Sequence, residues 1–280
     1  MRVRLSKLHG AGNDFLVAVA LDGRPAADAE LARRLCDRHR GIGADGLLTL
    51  LPPSDGADCA MELRNADGSI AEMSGNGIRC LAWVAAREGV GSADRISVAT
   101  AAGTRVVDLE RNHRGDIVAA TVDMGAVTFV PAEIPVAADD PFDLEATFHG
   151  VTYVGDAVGV GNPHFVLRVD DVETARVTQH GPHLERDDRF PNRTNVEFAT
   201  VSKPDTVELR VWERGVGETL SCGTGVVAAA AALHRRALVG PCVLVRVPGG
   251  MHRVELGETA RLHGPVVHVF DVDINTEDLT

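Results

Sequence analysis

Two short stretches hold side chains whose type and spacing suit proton chemistry. Residues 72–80 read EMSGNGIRC and residues 219–225 read TLSCGTG. Each sets one small side chain, Ser74 or Cys222, directly before a Gly-x-Gly turn that opens an apolar run. Such a turn feeding a helix leaves backbone NH groups unpaired beside about half a positive charge, and so favours a bound anion. Gly75, Asn76, Gly223 and Thr224 supply those donors, and a carboxylate is the natural guest. Of the five cysteines (36, 59, 80, 222 and 242), only Cys222 is so placed. The field there is expected to lower its pKa and favour thiolate. Ser74 equally fits a plain N-cap, whereas cysteine is not a preferred cap and calls for explanation. The other four cysteines read as packing residues.

The chain repeats itself. Ser74 and Cys222 lie 148 apart (222 − 74); Asn65 and Glu213, each nine residues before its turn, also lie 148 apart; Asn13 in GNDF and Asn162 in GNPHF lie 149 apart. A near-constant offset across three motifs implies two related halves. By that repeat His164 and Glu213 are expected beside Cys222, where they would tune its proton.

These motifs need elements to position them. Strand-like runs include VRLSKLHG, FLVAVAL, CAMELRN and RISVAT in the first half, with HFVLRV, NVEFATV and TVELRVWE in the second. ATFHGVTYVG is a less clear strand signal. Each half has one strongly apolar helix candidate, 75–88 and 223–237, with shorter amphipathic candidates at 28–38 and 170–180. An apolar helix among strands belongs inside a curled sheet. The expected fold class is α+β: two pseudo-symmetric domains, each a mostly antiparallel sheet wrapped around a central helix. Residues 1–127 form the first half-repeat, which 267–280 could complete, and 128–266 form the second. The active site is expected in the cleft between them.

Bulk properties narrow the function. A chain of 280 residues with 45% apolar and 24% charged composition suits two folded domains, and a net charge of −12 disfavours nucleic acid and anionic membranes as partners. The N-terminus shows no signal-peptide pattern and the longest apolar run is too short to span a bilayer, so a cytoplasmic protein is expected. No CxxC pair signals zinc. His180 and His183 are interrupted by Gly-Pro, which argues against both rings sharing one helix face, and no metal is expected. Gly-rich GAGNDF and GVGNPH lack the third glycine of a dinucleotide site. Only Lys7 and Lys203 are lysines, which counts against a Schiff-base cofactor such as pyridoxal phosphate.

The segments KLHGAGNDF (7–15), RHRGIGADG (38–46), RNADGSIAEMSGNGIRC (64–80), GNPHF (161–165), NRTNVEF (192–198) and WERGVGETLSCGTG (212–225) together resemble the diaminopimelate epimerase family, in order and over nearly the whole chain. The resemblance implies a pseudo-symmetric two-domain fold and a cofactor-free, two-base inversion of L,L-diaminopimelate to the meso form, serving lysine and peptidoglycan synthesis. It puts Cys222 on one face of the reacting carbon. On the other it puts Ser74, where the family pattern has cysteine, with His164 and Glu213 as the pair that tunes the acid–base groups. It also implies that Gly75, Asn76, Gly223 and Thr224 hold the reacting carboxylate. Asn65, Asn162, Asn195 and Arg214 would read the distant amino acid end, an arginine fork suiting the second carboxylate, and Asn13 would stand near the reacting centre. At Gly46 some members carry glutamine. The implied partner is a small diamino dicarboxylate, and a homodimer is compatible with the sequence.

A serine hydroxyl ionises far less readily than a thiol, whose ordinary pKa is about 8.5. Three accounts of Ser74 are open at this point: an engineered replacement of cysteine, a natural variant assisted by His164, Glu213 or water, or a paralogue that binds amino acids without inverting them. A related racemase of another amino acid is the remaining alternative.

Overall fold

The computed structural model describes residues 2–24 and 27–278. In chain order the elements are β1 (Arg2–Gly10), β2 (Asn13–Val19), α1 (Ala29–Cys36), β3 (Gly46–Leu51), β4 (Cys59–Asn65), β5 (Ile70–Ala71), α2 (Gly75–Arg87), β6 (Arg95–Thr100), β7 (Gly103–Arg111) and β8 (Ile117–Asp123). There follow β9 (Leu144–Phe148), β10 (Val151–Gly159), β11 (Pro163–Arg168), α3 (Val177–Leu184), β12 (Asn195–Lys203), β13 (Thr206–Glu213), β14 (Gly217–Thr219) and α4 (Gly223–Arg235). The chain closes with β15 (Cys242–Val247), β16 (Gly250–Leu256), β17 (Ala260–Pro265) and β18 (Val267–Asn275).

Contacts divide the chain into two compact units. One runs to Asp123 and resumes at His263; the other is Met124–Leu262. Each division falls four residues ahead of the sequence-based boundary (127 − 123 and 266 − 262). The main chain of Met124 donates to Ala260 O and that of Ala260 to Gly125 O, so the entering and leaving segments are hydrogen-bonded side by side within the second unit.

In the first unit, β1 pairs with β2 antiparallel, β2 with β3 parallel, β3 with β4 antiparallel, β4 with β6 parallel, and β6, β7 and β8 follow antiparallel. β18 adds to the free side of β1. The second unit repeats the pattern: β10–β11 antiparallel, β11–β12 parallel, β12–β13 antiparallel, β13–β15 parallel, β15–β16 antiparallel. A parallel pair needs a crossover, and each of the four parallel pairings has one helix in its connection. α2 and α4 fill the later crossover of each unit.

Both helices run 13 residues and their starts lie 148 apart (223 − 75). α2 touches β1 to β4 and β6 to β8, and α4 touches β10 to β13, β15 and β16. Ile78, Leu81 and Val84 on α2, and Val226 and Val227 on α4, are wholly buried. Each such side chain contributes about 1.5–3 kcal/mol relative to leaving it in water. The sheet of each unit therefore wraps around an apolar helix and fixes where its N-terminus emerges.

Other elements differ from the sequence reading. ATFHGVTYVG is two strands, β9 and β10, joined at His149 and Gly150, both with positive φ as a tight twisted hairpin requires. The helix sought at 170–180 is α3, beginning only at Val177. It also runs through Gly181-Pro182, contrary to the expectation from HGPH. Phe148 lies 3.8 Å from the His183 ring centroid and 5.1 Å from that of His180. A proline costs less in so short a helix, where few amides have an internal acceptor to lose. Gly181 is required because a Cβ there would meet Trp212 at 2.6 Å.

Candidate functional site

Ser74, Gly75 and Asn76 open α2 in the first unit, and Cys222, Gly223 and Thr224 open α4 in the second. In the first, Ser74 is the N-cap of α2, with extended backbone and its Oγ accepting from Gly77 N at 3.0 Å. Gly75 and Asn76 form the buried first turn. Asn76 Nδ2 donates to Asn13 Oδ1 at 3.2 Å, and Asn13 Nδ2 donates to Asp45 Oδ2 at 2.8 Å. Asn65 ends β4 opposite Gly46 and donates through Nδ2 to Ser69 Oγ at 3.1 Å, so it belongs to its own turn.

Two groups holding this constellation did not stand out in the sequence. Arg79, wholly buried, donates to Asn76 Oδ1, to Gly75 O at 2.9 Å and to Pro265 O at 3.4 Å. Burial lowers its pKa to about 10. Asp14 and Asp45 are the second group: Lys7 and Arg38 pair with Asp14, and Arg38 also reaches Asp45 at 2.7 Å. Burial alone would raise Asp14, but hydrogen bonds from Arg38 and Lys7 outweigh it and hold the carboxyl at about 2. Asp45, raised by burial and by the charge of Asp14, is the harder of the two to ionise.

In the second unit Cys222 is the N-cap of α4, extended and making no side-chain cap bond. Its Sγ lies 3.5 Å from Thr224 Oγ1. The expectation of a lowered thiol pKa is corrected here. Burial first, then the nearby charges of Glu213 and Glu197, push the thiol well above its ordinary value, against the smaller pull of the Thr224 hydroxyl and the Gly225 amide. In the protein alone Cys222 is therefore a proton-bearing thiol.

The parallel register sets His164 beside Asn195. Asn195 Nδ2 donates to Pro163 O at 3.0 Å and its Oδ1 accepts from Arg214 N at 2.9 Å. Arg214 Nη1 reaches Asn192 O at 3.4 Å. Glu213 accepts a hydrogen bond from Thr219 Oγ1. His164 Nε2 meets Asn162 Oδ1 at 2.8 Å and its Nδ1 meets Glu197 Oε1 at 2.7 Å. Glu197 was missed in the sequence. Its only signal is a charged residue within the apolar strand run NVEFAT, since charges are rarely buried unless paired.

Among the described residues no group of three His, Cys, Asp or Glu side chains is arranged to hold a metal, and no helix is long and apolar enough to cross a membrane.

The family described as diaminopimelate epimerase matches residues 5–130 and 156–269 of the chain. This chain belongs to the diaminopimelate epimerase family. It is 44% identical to the diaminopimelate epimerase of Xanthomonas axonopodis pv. citri, over 98% of this chain and 97% of that protein, and 40% identical to that of Desulfitobacterium hafniense, over 96% of each. The fold extends to more distant proteins. A probable proline racemase from Agrobacterium radiobacter K84 superposes with a TM-score of 0.73 at 17% identity, over 98% of this chain and 93% of that one. Within the family the chain is an isomerase of epimerase type. The α+β fold read from the sequence is the family's fold.

Proposed function

We propose that this chain interconverts L,L- and meso-diaminopimelate without a cofactor. The observation that carries the reading is Cys222: a buried thiol at the head of α4, within the full WERGVGETLSCGTG motif of a chain 44% identical to a diaminopimelate epimerase. The first-turn amides of α4 at Gly223 and Thr224, and of α2 at Gly75 and Asn76, lie where a helix N-terminus suits a carboxylate whose α-carbon gains negative charge as its proton leaves. Cys222, protonated at rest, acts first as proton donor. It becomes a base once its proton has gone to the carbon. By the repeat and the family resemblance, Ser74 takes the role on the other face of that carbon. Asn65, Asn162, Asn195 and Arg214 recognise the distal amino acid end.

Cofactor independence draws support from the lysines. Lys7 is occupied by Asp14 and Gly43 O, and Lys203 is exposed at the end of β12. Neither resembles a lysine held ready for a Schiff base.

One feature favours a second reading, amino acid binding with little inversion. The Ser74 hydroxyl is engaged as a helix cap, and a hydroxyl is a poor base at neutral pH. Incubation of each isomer in deuterated water separates the readings. Epimerisation through Cys222 puts deuterium at the α-position of one isomer faster than the other; no exchange from either isomer leaves binding alone.

A further inference from the structure

Glu197 and His164 are both wholly buried, and they face each other in the centre of the second unit. Glu197 lies on β12 and His164 on the adjacent parallel strand β11, two register positions apart and so on the same face of the sheet. The carboxyl also lies against the first turn of α4: a Cβ on Gly225 would stand 2.7 Å from Glu197 Oε1. Among the described residues Oε2 has no hydrogen-bond partner. A buried carboxyl with one oxygen unsatisfied is costly as a charge, and burial is the largest influence raising Glu197 above its ordinary range.

The contacts of the ring fix its protons. Asn162 Oδ1 can only accept, so Nε2, 2.8 Å away, carries a hydrogen. On the other side Nδ1 and Glu197 Oε1 are 2.7 Å apart, and two lone pairs cannot sit so close. One further proton therefore lies between them, on the acid or on the ring. The pair holds two protons in all.

We propose that Glu197 is a positioning residue: by sharing that proton with Nδ1 it keeps His164 Nε2–H as a fixed donor to Asn162. The inference rests on the epimerase reading only for the meaning of Asn162, which binds substrate there. When the pair loses one proton to solvent base, the remaining one stays on Nδ1, facing the carboxylate, and Nε2 is left bare. Asn162 Oδ1 then confronts a lone pair and must turn away. The substrate site thus keeps its shape only while the pair is doubly protonated.

The surrounding titratable groups are few. Cys222 heads α4 and lies in the field of Glu197, as it does of Glu213 at the end of β13. Asp156 on β10 is bound to Arg168 and Arg236, His180 on α3 to Tyr153, and Glu185 beyond α3 to Trp212 Nε1.

The test reads the ring directly, in the full chain labelled with nitrogen-15 and without substrate. Long-range proton–nitrogen correlation spectra, with His164 assigned by its loss in His164→Gln, should show Nε2 protonated at neutral pH and a switch to Nδ1–H as pH rises. In Glu197→Gln, of the same size, the amide donates to Nδ1, so Nε2–H should persist with no switch. KM for diaminopimelate should climb with the switch in the parent protein and stay level with pH in the variant. An Nδ1–H ring at neutral pH, or a Glu197→Gln ring switching at the parent's midpoint, overturns the proposal. Absence of α-proton exchange would count against the epimerase reading and leave the tautomer result standing.

Discussion

Ser74 Oγ accepts the Gly77 amide at 3.0 Å, while Cys222, at the same place in the second unit, caps nothing. The two repeats thus differ at one position: in α2 the hydroxyl closes the helix end, and in α4 the sulfur makes no cap bond and meets the Thr224 hydroxyl at 3.5 Å. If Ser74 limits turnover because its hydroxyl ionises poorly, Ser74→Cys should raise the epimerisation rate by about 10²- to 10⁴-fold, the usual range for a well-matched acid–base group. The same change should cost about 1 kcal/mol of stability through loss of the cap. Rate and melting temperature measured on one preparation check both. An unchanged rate would mean that Ser74 already suffices.

Asp14 gives the first unit an acid-sensitive point. Its carboxyl is held at about 2, below the ordinary 3.8. A depressed acid stabilises the fold when ionised, so the contribution is complete above about pH 4 and is lost as pH falls toward 2. Partial exposure and salt screening reduce it to roughly 1–2 kcal/mol. Asp14→Asn should lower the melting temperature at pH 7 and flatten its fall between pH 4 and 2. It should also let Asp45 ionise more readily, since the charge of Asp14 is one cause of the raised Asp45 value.

Much of this was legible in the sequence for physical reasons. GNGIRCLAWVAAR and GTGVVAAAAALHR are too apolar for a surface helix, and each follows a turn that only a helix start explains, so both central helices stood out. The linking groups did not. Arg79, Asp45 and Glu197 act through partners distant in sequence: Pro265 for Arg79, Asn13 for Asp45 and His164 for Glu197. Apart from the apolar strand run around Glu197, nothing local distinguishes them from solvated charges. Cys222 misled for a related reason. A helix start read locally promises a thiolate, but the burial and the two carboxylates that oppose it come from strands closed around it.

Gly225 tests the packing of α4 against Glu197. A methyl group there would sit 2.7 Å from Glu197 Oε1 and 3.4 Å from Cys222 Cβ. The first distance is inside contact range and the carboxyl is fully buried, so it has little room to yield. Gly225→Ala should cost about 1–3 kcal/mol by overpacking and should disturb the His164 ring signal. Ala228→Gly, one turn along the same helix and also buried, should cost stability by about 1 kcal/mol through propensity while leaving that signal in place. Denaturant melts paired with the ring spectra separate a local clash from general weakening of the helix.

Cys222 should betray its raised pKa in its reactivity. Only the thiolate is alkylated, and Cys222 is 6% exposed while Cys242 lies open on the surface. With a small neutral alkylating agent at pH 7, Cys242 should label first and Cys222 much more slowly, as read by peptide mass spectrometry over time. The rate at Cys222 should keep rising with pH beyond the range where an ordinary thiol saturates. Glu213→Gln removes one of the negative charges that oppose ionisation, so the Cys222 profile should move to lower pH while that of Cys242 does not. If Cys222 saturates near neutral pH in the parent protein, the field of α4 outweighs burial, and the thiol rests as a base.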